Sequence, residues 1–237
     1  MRNTPNPTTK ATKVSKVTNT FIKFVSFETF VIFVVIFTLP ATAAVIDPDT
    51  RVVIRTYQST TLPEDHAAAL TVATAILESA GLDVTWMACD AVFVRRDVDK
   101  PCVAPLRANE LAIRFVRLPP YQEQTDEVAL GYSLVDTRLR AGALATVYVD
   151  RVAALAATCH LDVRTLLGRA IAHEVGHLLL GTTDHAPDGL MRAAWSQHAL
   201  RHERPGDWVF TLRDAQAMRD AVRVRTARQL AAARWGE

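Results

Sequence analysis

The chain has 237 residues, 49% of them hydrophobic and 22% charged, with 9 glycines, 11 prolines and 3 cysteines. Those proportions exclude a disordered, collagen-like or disulfide-scaffold chain, and the length suits one domain with a sizeable core. A formal charge of +2, from 27 basic and 25 acidic residues, gives no electrostatic reason to expect nucleic acid as a partner.

The charge is unevenly spread. Four of the five lysines, Lys10, Lys13, Lys16 and Lys23, fall within the first 23 residues. An apolar run from Phe30 to Leu39 follows, broken only by Thr38, and then the small residues Pro40-Ala41-Thr42-Ala43-Ala44. Basic, apolar, small is the order of a secretory signal peptide, so 1–43 is expected to be an export signal and 44–237 the working domain. The apolar run is too short to span a bilayer comfortably, although an uncleaved signal anchoring the chain to a membrane is the alternative. Removal of 1–43 leaves 22 basic and 24 acidic residues, a formal charge of −2. The expected location is secreted or periplasmic. Few residues then precede the first strand, too few for an inhibitory pro-segment, so the protein is expected to be made active.

Export favours a disulfide. Cys89 and Cys102 bracket a charged loop, and joining them closes about 14 residues, worth roughly 3 kcal/mol in the chain-entropy picture. Cys159 is left unpaired, with no neighbours in the sequence to suggest a nucleophile.

Arg51 to Tyr57 reads as a first strand and Pro63 to Ala80 as a helix, with acidic residues at its start and Gly81 after its end. Val84 to Met87 is a short strand. Glu110 to Leu118 alternates Leu111, Ile113 and Phe115 against Ala112, Arg114 and Val116, the pattern of a half-buried strand. Ala129 to Val135 and Ala145 to Val149 are two more strands, separated by a loop around Arg138 to Gly142. Val163 to Leu180 is a long helix and Leu212 to Arg234 a last one. The order β-α-β-β-β-β-α-irregular-α implies one α+β domain, a mixed sheet with helices packed on it.

The long helix carries His173-Glu174-Val175-Gly176-His177. Residues four apart share a helix face, so both imidazoles can reach one metal ion. Glu174 is rotated about 100° from His173, where it flanks such an ion and can take a proton from metal-bound water. Leu167, Ile171, Val175 and Leu178 form an apolar face, and Gly168, Ala172 and Gly176 a narrow strip where another backbone can approach. A helix apolar nearly all round is central and buried, and buried histidines need partners. Gly181 ends the helix, and His185, four residues on, is the best-placed third ligand. Three histidines with an open position make a catalytic kind of Zn²⁺ site.

With these residues in place, the stretch HEVGHLLLGTTDHAPDGLM resembles the metzincin clan of zinc endopeptidases, whose motif is H-E-x-x-H-x-x-G-x-x-H followed by a Met-turn. His173, Glu174 and His177 match directly, Gly181 and His185 match in role, and Met191 looks like the Met-turn residue. The sequence is also similar to uncharacterised exported bacterial proteins sharing H-E-x-G-H-L-L-L-G, a later His and G-[IL]-M-R-A-x-W. The resemblance implies a zincin-like fold with a long active-site helix, a Met-turn and a C-terminal helix. It also implies an inner strand at 145–149 and an edge strand at 129–135 where an extended peptide lies.

Gly181 and His185 come eight and twelve residues after His173, later than the motif places them. Asp184 therefore competes with His185 as third ligand, and Glu203 is a further alternative. The activity implied is peptide-bond hydrolysis by zinc with Glu174 as base, on a protein or peptide substrate. The competing readings are a non-catalytic metal-binding or interaction protein and a zinc hydrolase of a non-peptide bond. His198 and His202 read as an exposed pair, His66 and His160 as isolated side chains. Trp195 and Trp208 read as core or cleft lining, and Arg192 as a solvated side chain.

Overall fold

In the computed structural model, which describes residues 48–58, 65–89, 100–117, 129–204 and 206–235, the β-branched and apolar runs build one five-stranded sheet. Its strands are β1 (Arg51–Gln58), β2 (Asp83–Ala88), β3 (Glu110–Val116), β4 (Gly131–Asp136) and β5 (Ala141–Tyr148). The spatial order is β2-β1-β3-β5-β4. The first four of these neighbours run parallel, and β4 alone pairs antiparallel, with β5. The mixed sheet expected from the sequence is present, and β4 lies at its edge with β5 inside it. The signal-peptide reading of 1–43 and the charged loop at 90–99 lie outside the described residues. No described helix is long and apolar enough to cross a membrane.

Parallel neighbours need a crossover, whereas an antiparallel pair needs only a turn. The helix α1 (Asp65–Ser79) carries the chain from β1 to β2. Residues 137–140 suffice between β4 and β5, with Arg140 at φ 47°. This turn is shorter than the loop expected around Arg138 to Gly142, because Ala141 to Leu144, weak strand formers in isolation, are held by pairing with β4. β3 is also drier than its alternation suggests. Ala112 is buried along with Leu111, Ile113 and Phe115, since β3 is a central strand between β1 and β5, although Arg114 on the Ala112 face is exposed.

The long helix α4 (Val163–Leu180) has the bounds that the sequence predicts. Asp162 caps its start by accepting from the Arg164 amide at 2.9 Å, and Gly181, in the left-handed region, ends it. Every residue from Leu166 to Leu179 is buried, because α4 lies under β3, β4 and β5 and against α1. The glycine strip makes this possible. A Cβ on Gly168 would stand 2.6 Å from Val72 Cβ and 2.7 Å from the Ala69 carbonyl, both in α1.

Three helices were not expected. The short α2 (Lys100–Val103) follows the charged loop, and α5 (Gln197–Arg201) sits in the stretch read as irregular. The third, α3 (Val149–Cys159), buries Val149, Val152, Ala156 and Cys159 at helical spacing. It ends without a glycine: His160 itself takes the left-handed conformation at φ 56° and closes the cap onto Ala156 and Ala157. Cys159 is a free, buried thiol on that apolar stripe, which accounts for it as a core side chain. The last helix, α6 (Leu212–Trp235), is as anticipated within one residue.

Cys89 and Cys102 are joined, as the sequence suggests. The segment they tie down is also held by Arg55, which is buried, ion-paired to Glu110 and donates to the Ala104 carbonyl at 2.7 Å. The core of α4 should tolerate overpacking poorly. Gly168→Ala is expected to lower unfolding free energy by about 2 kcal/mol by pushing α1 from α4, measured by urea denaturation; an unchanged midpoint would contradict the close approach.

Candidate metal centre

His173 and His177 stand one turn apart on α4, both buried. The Nδ1 of His173 lies 2.9 Å from the Leu190 carbonyl, and the Nδ1 of His177 lies 2.9 Å from the Thr182 carbonyl. A carbonyl can only accept, so each Nδ1 carries the proton and each Nε2 presents a lone pair. The two Nε2 atoms face each other at 3.1 Å. Burial disfavours their charged forms, lowering His173 to about 4 and shifting His177 in the same direction. Two neutral acceptors held head to head lack a shared proton, and a cation between them removes the conflict. Nitrogens bound tetrahedrally at 2.0–2.1 Å from one ion lie about 3.3 Å apart. The pair fits that spacing.

The backbone that fixes these tautomers is itself tightly built. Gly181 brings the chain back against the β4–β5 turn, where a Cβ would meet the Arg140 carbonyl carbon at 2.2 Å, and so places Thr182 beside His177. The segment after it closes on itself. The Ala186 amide donates to Met191 O at 2.8 Å, and the Leu190 amide to Val209 O at 2.9 Å. Met191 is buried against α4, its sulfur 2.6 Å from where a Cβ on Gly176 would stand. Gly176 is thus the glycine that lets this segment press against α4.

His185 completes the cluster. Its ring centroid is 4.8 Å from that of His177 and 5.4 Å from that of His173, and one nitrogen from each of the three rings lies within 4.8 Å of the others. His185 is exposed, so the site is open on that side. A cavity of about 850 Å³ adjoins it, lined in part by Arg140, Thr183, Asp184, Met191 and Arg213. The two carboxylates weighed against His185 are placed differently. Asp184 is exposed and outside the converging group, while Glu203 is ion-paired with Arg169 at 2.7 Å. Among the described residues these three histidines are the one cluster of this kind.

Glu174 points to the other flank of α4. It is buried against β4, where Ser133 Oγ lies 2.7 Å from its Oε2 and 2.9 Å from its main-chain carbonyl. Its Oε1 is 2.7 Å from where a Cβ on Gly131 would be. Desolvation raises the Glu174 carboxyl to about 7, and the Ser133 hydrogen bond opposes that rise. Neither Gly131 nor Ser133 is marked by any motif. Alternation along β4 could have put both on one face, but only the packing shows which residue they meet.

The tryptophans extend the wall. Trp195 meets His173 edge-on with centroids 5.5 Å apart, and Trp208 meets Trp195 at 5.2 Å. Arg169 and Arg192 both stack on Trp208. Arg192 is therefore not a solvated side chain: its Nε donates to the Gly189 carbonyl at 3.1 Å, holding the turn before Met191. His198 and His202 are exposed, stacked on each other, and outside the metal-binding group. His66 packs edge-on against Phe115 and lies 3.0 Å from Gln58 Nε2, while His160 is the α3 cap.

No family model matches the chain, and a search of curated proteins gives no match. Among solved structures the chain is similar to the crystal structure of archaemetzincin from Methanopyrus kandleri. That similarity has 15% identity, covers 75% of this chain and 98% of the other, and has a TM-score of 0.46.

The buried carboxyl predicts a pH signature in the metal-free protein. Folded Glu174 keeps its proton up to about 7, whereas the unfolded chain releases it near 4.5. The folded state then holds the extra proton between those values, and this group costs stability as pH rises through them. His173 and His177, neutral in the fold, act in the opposite direction. Glu174→Gln removes only the first effect, so its stability relative to wild type should grow between pH 4.5 and 7 and level off above, by about 3 kcal/mol. Urea melts in chelator across that range measure this, and a difference that shrinks with pH would contradict it.

Proposed function

We propose that the protein is a zinc-dependent hydrolase of peptide bonds, an exported endopeptidase in which His173, His177 and His185 hold the metal and Glu174 is the general base. The observation that carries this reading is the pair of buried Nε2 lone pairs facing each other at 3.1 Å, with a third imidazole beside them and a carboxyl on the next residue. Three neutral nitrogens suit zinc better than magnesium or calcium, which prefer oxygen. When bound, zinc supplies a Lewis acid that polarises the scissile carbonyl and makes water acidic enough to attack it.

The chain's own residues do the rest. His173 and His177 are locked in the ligating tautomer by Leu190 and Thr182 before any ion arrives, so little ordering is left to binding. Glu174 takes the proton of the attacking water and delivers it to the departing amine as the carbon–nitrogen bond breaks. A carboxyl raised to about 7 is suited to both halves of that task. Met191, packed under α4, takes the part that the Met-turn plays in the metzincins that the sequence resembles. The outer edge of β4 has no strand beside it among the described residues, and Tyr132 and Leu134 are exposed along it. An extended peptide can add there as a further strand, its bonds within reach of Glu174's flank of the helix.

A purely structural metal site has no use for Glu174. Purified wild type is expected to retain one equivalent of zinc and to cleave an unfolded protein such as reduced casein, with loss of cleavage in chelator. Glu174→Ala should keep the zinc and lose cleavage by roughly 10²- to 10⁴-fold. Undiminished cleavage by that variant would remove the mechanism, and a wild type that retains no zinc would remove the metal.

A further inference from the structure

The edge strand touches the proposed base directly, and this contact has no counterpart in the motif. Gly131 and Ser133, two apart on β4, share the face turned toward α4. Ser133 Oγ is 2.7 Å from Glu174 Oε2, an ordinary hydroxyl–carboxyl hydrogen-bond distance, with Glu174 buried and Ser133 half-buried. Gly131 contributes by having no side chain. A Cβ there would stand 2.7 Å from Glu174 Oε1 and 3.0 Å from its carboxyl carbon, with the Thr146 carbonyl closing the other side at 2.7 Å. Any other residue would therefore move the carboxyl or part β4 from β5.

We infer that Gly131 and Ser133 are positioning residues: the strand that receives the substrate also clamps the carboxyl of Glu174, fixing its distance from any peptide bond presented along that strand. This rests on the hydrolase reading for its purpose, though not for its geometry. The clamp answers a problem that the helix cannot solve alone. Glu174 has three side-chain torsions, and α4 offers it no polar partner on the β4 flank. Ser133 removes that freedom with one hydrogen bond.

The hydroxyl also has two acceptors for one proton. Besides Oε2 it reaches the Glu174 main-chain carbonyl at 2.9 Å. When Glu174 has received a proton, the hydroxyl can turn to that carbonyl and accept from the carboxyl, so the clamp survives both halves of the reaction. A peptide paired along β4 and the base that acts on it thereby share one rigid element, and register along the strand becomes register relative to the base.

The test uses Ser133→Ala and Ser133→Thr in the full chain, with two readouts. In the metal-free protein at pH 9, where Glu174 is ionised, its carboxylate stretching band, assigned as the infrared band absent from Glu174→Gln, should shift in Ser133→Ala and return in Ser133→Thr. In the zinc-loaded enzyme, Ser133→Ala should lower kcat roughly 10- to 100-fold with KM held within about twofold, and Ser133→Thr should restore most of it. Zinc retention should be the same in all three proteins. An unmoved infrared band, or a changed KM with unchanged kcat, overturns the inference. If the wild type hydrolyses no peptide, the hydrolase reading fails, and the infrared band alone then decides whether Ser133 holds Glu174.

Discussion

His173 and His177 each give their Nδ1 proton to a main-chain carbonyl, Leu190 and Thr182, inside a helix that is buried along nearly its whole length. What remains is two Nε2 lone pairs 3.1 Å apart in a place where neither ring readily takes up a proton. Unpaired buried acceptors cost free energy, and like lone pairs facing each other add to that cost. The surrounding fold is arranged around sustaining that contact. Gly181 turns the chain so that Thr182 reaches His177, and Val209 holds Leu190 against His173. Gly176, which lies between the two histidines in the chain, lets Met191 press against α4.

The same crowding explains the architecture around α4. A helix pressed by α1 on one side, by the Met191 segment on another and by β4 and β5 on a third can carry side chains only where the neighbours leave room. Gly168 and Gly176 yield to the first two neighbours. At the sheet the yielding residues belong to the strands, Gly131 and Gly142, the latter needed because a Cβ there would meet Leu178 Cδ2 at 2.7 Å. The helix can therefore sit high against the edge of the sheet, with Glu174 touching β4 and the histidines turned toward the loop. The disulfide and the Arg55–Glu110 pair keep the 100–110 segment fixed on the sheet.

Much of this was written in the sequence because it follows from short-range periodicity. Residues four apart fix the face shared by His173 and His177, the small residues Gly168, Ala172 and Gly176 spaced by four foretell close packing, and Gly181 marks the stop. His185 was legible from its distance beyond that stop, which a chain turned back by a left-handed glycine can cover. The misses have physical causes too. α3 ends on His160 in a conformation normally left to glycine, so no stop signal marks it, although Val149, Val152, Ala156 and Cys159 repeat at helical spacing. Arg192 looks like a surface side chain until Trp208 and Gly189 are brought to it by the turn. Gly131 and Ser133 lie 43 and 41 residues before Glu174 in the chain, and only the antiparallel docking of β4 on β5 brings them to it. Nothing local to either residue carries that information.

The central claim is that three imidazoles converge on one ion. Zinc-edge X-ray absorption on protein loaded with one equivalent of zinc tests it most directly, because it counts the imidazoles and identifies the donor atoms. The account predicts three imidazole nitrogens at about 2.0 Å and no sulfur, with one imidazole lost in His185→Ala. A spectrum with two imidazoles or fewer, or one left unchanged by His185→Ala, would contradict it.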